Sequence, residues 1–160
     1  MNISKDQLKI LADLTCLAVA DVIWADGEAL KQEIGPFGKY VIMHQNFPVP
    51  EFRNILKYIH ENGGYYYFVE LDNNTTDEQA DIIYQNGKEL LNSFDESFIH
   101  MFCVGLYGIL LETSHADGNK SREESEEVSG IFMLLIDKQK LNPFEIDSTW
   151  RELNKLNPFI

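Results

Sequence analysis

The chain has 160 residues, 44% of them hydrophobic and 24% charged, with 13 basic against 26 acidic side chains and a formal net charge of -13. That composition fits one ordinary globular domain able to bury a core without staples. A polyphosphate backbone or an anionic membrane surface calls for a basic face, which this chain lacks, so nucleic acid and membrane are excluded as expected partners in favour of cations or basic protein surfaces.

In chain order, Ser4 and Gln7 form a capping box that opens a helix running to about Ala25. Leu8, Leu11, Thr15, Ala18, Val19, Val22 and Ile23 share its apolar face. A second helix is expected over 28–44, with a kink or restart near Phe37 because of Gly35-Pro36. Pro50 opens a third, lined by Phe52, Ile55, Leu56 and Ile59 and stopped at Asn62-Gly63-Gly64. Tyr65 to Leu71 has the composition of a strand but no partner strand, so an extended or irregular segment is predicted there. Thr75 and Thr76 can cap a helix over Asp77 to Ser93, with Gly87 as its weak point. Asp95 caps a nearly all-apolar helix over 96–115, where Gly105 and Gly108 allow a neighbour to approach. Ser121 opens a helix to about Lys138, Asn142-Pro143 ends that segment, and a last helix is expected over Asp147 to Leu156 with Trp150 and Leu153 inward.

Cys16 and Cys103 sit in apolar runs without metal or redox spacing, and read as buried hydrophobes in a reducing cytoplasm. The opening MNISKDQLKI lacks the pattern of a secretory signal, and no apolar run approaches the ~18 residues of a membrane span.

The feature that stands out is a repeat. Ala25-Asp26-Gly27 returns as Ala116-Asp117-Gly118, each followed by a glutamate seven residues past its aspartate, Glu33 and Glu124. Aligning Asp26 with Asp117 gives an offset of 91, at which Leu11 meets Phe102, Ala18 meets Ile109, Val19 meets Leu110 and Val41 meets Phe132. The expected architecture is a single all-α domain over 1–160, with about seven helices and two pseudo-repeated helical hairpins at 4–62 and 95–157 joined by 63–94.

On these stretches, Ala20 to Gly27 with Glu33 and Ser114 to Gly118 with Glu124, the sequence resembles the TerB-like family associated with tellurite resistance. The resemblance implies an all-helical bacterial cytoplasmic protein, non-enzymatic, serving a stress-response or metal-resistance system. It also implies a metal site built from Asp26, Glu33, Asp117 and Glu124. Hard oxygen ligands favour calcium or magnesium, and adding His115 shifts the preference toward zinc. The same carboxylates are equally open to a structural role: Glu124 with Ser121 as a capping box, Glu33 at a helix start, and both aspartates bonded within their turns.

Sharper metal patterns are absent. Counted from Asp117, the positions a calcium hand reserves for glycine and glutamate hold Arg122 and Val128. A di-iron bundle needs two Glu-x-x-His motifs, and only Glu112 to His115 supplies one. No catalytic residue is assigned, since phosphate-loop, serine-elbow and zinc-protease motifs are missing. His44 and His100 are expected to be hydrogen-bonded in or near the core, and His60 to favour its helix end. A rival expectation is a small-molecule-binding or catalytic protein, with Trp24 and Tyr40 lining an aromatic pocket between the hairpins.

Overall fold

The computed structural model describes residues 2–24, 31–114 and 142–155, together with 128, 130–132 and 135. Every described element is helical, with no strand among the described residues. Seven α-helices have defined bounds: α1 (Lys5–Ile23), α2 (Lys31–Ile42), α3 (Pro50–Glu61), α4 (Tyr65–Asn74), α5 (Asp77–Ser93), α6 (Glu96–Ser114) and α7 (Pro143–Asn154). A 3-10 turn, His44–Asn46, joins α2 to α3, and in the stretch of sequence that separates α6 from α7 the residues Val128, Ile131, Phe132 and Leu135 are helical and buried.

The starts of several helices follow from local chemistry. Ser4 accepts from the Gln7 amide at 3.2 Å while the Gln7 side chain accepts from the Ser4 amide at 3.0 Å. Thr76 and Gln79 repeat that reciprocal bond at the start of α5. Asp95 Oδ1 accepts from the Phe98 amide at 2.8 Å. Each box satisfies amides that an uncapped helix leaves bare.

The two longest helices, α1 and α6, each have 19 residues and form the centre. α1 packs against α3, α4, α5 and α6; α6 packs against α1, α2, α3 and α7. α6 is long and apolar enough to cross a membrane by length and composition, with a mean hydropathy of 1.3, yet 67% of that stretch is buried under its neighbours. Two glycines set how closely those neighbours lie. A Cβ at Gly105 would stand 2.7 Å from the Phe52 ring, and one at Gly108 would stand 2.4 Å from the Trp150 ring. Rings continue the seam: Phe52 lies 5.1 Å from Phe102, Phe47 lies 5.8 Å from Phe52 and 6.0 Å from Trp150.

Four expectations change. The run from Tyr65 is a helix, not an extended segment. Gly63 and Gly64, at φ +121° and +59°, turn the chain out of α3, after which Tyr67, Phe68 and Leu71 face inward at helical spacing. A strand would have turned these residues to opposite faces and required two covers and a partner; one helix face needs only α1 and its neighbours. α2 runs through Gly35-Pro36 as one helix, so of the expected kink or restart near Phe37 only the restart is overturned. The residue before a proline normally suffers a clash at its Cβ, and Gly35 has none. The last helix starts at Pro143 and not at Asp147: Asn142 accepts from the Glu145 amide at 3.2 Å and Pro143 occupies the first turn, where its missing N–H costs nothing. Gly87 is a packing position, since a Cβ there would meet Leu14 at 2.7 Å.

Candidate functional site

α1 ends at Ile23, and the Trp24 amide donates back to the Ala20 carbonyl at 3.0 Å; α6 ends at Ser114. These ends lead into the two Ala-Asp-Gly corners. Asp26, His115, Asp117 and Glu124 lie outside the described residues, and Glu33 is described only as a helical backbone position of α2. Among the described residues no group of three or more His, Cys, Asp or Glu side chains comes together as a metal-ligand set.

One and a half turns before each corner stands a half-buried carboxylate. On α1 it is Asp21, which accepts a hydrogen bond of 2.5 Å from the Tyr84 hydroxyl of α5. On α6 it is Glu112, which is hydrogen-bonded by the Tyr40 hydroxyl of α2. Asp21 and Glu112 are themselves 91 positions apart, so they occupy matching places before the two triplets. Burial raises both carboxyl groups above the ordinary carboxylate range, while the tyrosine hydroxyl in each case pulls the other way. Asp72 on α4 adds a like charge against Asp21, and the Lys39 ammonium partly relieves Glu112.

Trp24 and Tyr40 part company. Trp24 is 51% exposed, with its indole N–H donating to Asp72 at 3.2 Å. Tyr40 is 2% exposed and packs edge-on against Phe47 at 4.9 Å. Tyr40 lines a cleft of about 360 Å³ between α2 and the last turn of α6, together with Gly35, Pro36, Lys39 and Glu112. Trp24 is not among its described lining. The volume lies within the range of small-ligand sites, and the lining is more polar than an aromatic slot.

The remaining polar side chains hold elements together. The Tyr67 hydroxyl donates to Asp13, which also takes an ion pair from Lys9 at 2.7 Å. The Tyr107 hydroxyl donates to Asp147 at 2.5 Å, tying α6 to α7, and with Arg151 it holds the Asp147 carboxyl below the usual range. His100 meets the Thr149 hydroxyl at 3.4 Å, as a near-core histidine should. His44 lies beside His60, ring centres 5.7 Å apart, and partial burial together with that neighbour lowers its pKa. Cys16 and Cys103 are free and buried; burial raises the Cys103 thiol to about 12 and drives Cys16 up as well.

No family model, curated protein or solved structure matches this chain. The sequence pattern pointed to the corners and passed over Asp21, Lys39 and, except as half of a failed di-iron motif, Glu112. The signal that finds Asp21 and Glu112 is the 91-residue offset itself, since a carboxylate recurs at that position in the otherwise uncharged stretches 14–23 and 104–114.

Proposed function

We propose that this chain is a duplicated, non-enzymatic helical binding protein of the TerB-like kind, serving a stress-response or tellurite-resistance assembly in a bacterial cytoplasm. Its acidic corners hold a divalent cation or receive a basic surface of a protein partner. The duplication is supported by one observation, a shared register of burial. At the 91-residue offset Leu11 and Phe102, Ala12 and Cys103, Ala18 and Ile109, Val19 and Leu110 are buried in both copies. The same holds for Tyr40 and Ile131, Val41 and Phe132, Ile55 and Ile146, Ile59 and Trp150. α1 and α6 start 91 positions apart and end 91 positions apart, while α3 and α7, each of 12 residues beginning at a proline, start 93 apart.

Two copies packed core to core would bring equivalent positions to related places, and each Ala-Asp-Gly triplet is followed by a glutamate seven residues past its aspartate. With a net charge of -13, the chain favours cationic partners generally. Oxygen ligands alone select calcium or magnesium, and His115 would turn the preference toward zinc. Calorimetric titration of chelator-treated protein with each of the three ions tests the ion reading. Binding should raise the melting temperature and disappear in the Asp26→Asn, Asp117→Asn double variant. Heat and melting temperature unchanged by all three ions would remove the ion and leave the basic partner as the remaining form of the proposal.

A further inference from the structure

The cleft between α2 and α6 has a chemistry of its own. Gly35, Pro36, Lys39 and Tyr40 recur at helical spacing, so one face of α2 forms a wall, and Glu112 from the last turn of α6 completes the described lining. A Cβ at Gly35 would meet no atom within 4 Å, so this position leaves the wall open. The described lining therefore carries one charge of each sign and one phenol.

Half-burying Glu112 strips water from a carboxylate. The Tyr40 hydroxyl and the Lys39 charge restore part of that loss, yet the carboxyl still sits above its ordinary range, so its ionised form gains from any further cationic donor. A ligand bearing only a positive charge is opposed by Lys39, and one bearing only a negative charge is opposed by Glu112. A molecule with both charges a few bonds apart satisfies both walls at once. We infer that this cleft binds a small zwitterion of the amino-acid type, with its ammonium against Glu112 and its carboxylate against Lys39. The inference is independent of the duplication and of any ion at the corners.

Isothermal titration of the full chain with the standard L-amino acids, taken singly, tests it, with ethylamine and propionate as the two half-ligands. At least one amino acid should bind and raise the melting temperature, while ethylamine and propionate each bind about tenfold more weakly or not at all, because each loses one charge-assisted contact. Glu112→Gln should weaken the amino acid about tenfold for the same reason. Lys39→Gln, at an exposed position of α2, should weaken it about tenfold as well, because the ligand carboxylate loses its ammonium partner. Absence of binding by every amino acid overturns the inference. So does ethylamine binding as tightly as the zwitterion, or affinity unchanged by Lys39→Gln.

Discussion

Gly108 of α6 faces the indole of Trp150 so closely that a Cβ would come within 2.4 Å of ring carbon Cε3. Trp150 is 2% exposed and is also hemmed by Phe47, so the ring has nowhere to retreat. Gly108→Ala should therefore destabilise the protein by about 1–3 kcal/mol, the usual cost of overpacking, even though alanine is the better helix former. Gly38→Ala is the control. Its Cβ meets open space, so the same substitution should be neutral or stabilise by up to about 1 kcal/mol. Urea unfolding of both variants checks the contrast, and a Gly108→Ala protein as stable as the parent would contradict the close approach.

Asp21 should make stability depend on pH in the opposite sense to most carboxylates. Its folded-state pKa is raised by burial and by Asp72 against the smaller opposing pull of Tyr84, so the folded chain binds this proton more tightly than the unfolded chain. The contribution is fully present below the ordinary carboxylate range and is lost as pH rises through the raised value. Asp21→Asn cannot ionise. Relative to the parent, it should be more favourable at pH 7 than at pH 3, as read from thermal melts across that interval. A difference that is flat with pH, or that runs the other way, would show Asp21 to be as well solvated as an unfolded aspartate.

The two thiols should be silent in the native protein. Cys16 and Cys103 are 1% and 2% exposed, and burial keeps both protonated well above neutral pH. An aromatic disulfide reagent at pH 8 should label neither on the timescale of mixing and both after denaturation, because thiolate and access are each required. Rapid native labelling of either one would place it outside the core.

Asn142 should matter more than its place in an Asn-Pro pair suggests. Its side chain accepts from the Glu145 amide and starts α7, which carries Trp150 and Ile146 into the core. Asn142→Ala should cost about 1 kcal/mol, while Asn142→Asp should be nearly neutral. Equal stabilities for all three, measured by chemical denaturation, would leave the cap without energetic weight.

Much of the helical plan was legible in the residues. The boxes at Ser4 and Thr76 and the aspartate at 95 mark helix starts that the structure places at the next residue, because a capping bond is made within four residues and needs nothing from the rest of the chain. The glycines at 105 and 108 announced a close neighbour, though not which one. Other features were not legible. Tyr65 to Val69 carries strand-forming residues and folds as a helix, since Phe68 finds Phe37 at 5.8 Å and Tyr67 finds Asp13, contacts 31 and 54 positions distant in sequence.

By itself, then, the sequence determined an acidic all-helical chain, most of its helix starts, the apolar faces that meet in the core, and a 91-residue recurrence of those faces. Only the tertiary structure decided that α1 and α6 lie together at the centre, that the tyrosine run is helical, and that Glu112 meets Tyr40 and Lys39 across a cleft. The division has a physical cause. Capping and periodicity are local and are written over a few neighbouring residues. The burial of a carboxylate and the company it keeps depend on which helices meet, and that is fixed by the packing of the whole chain at once.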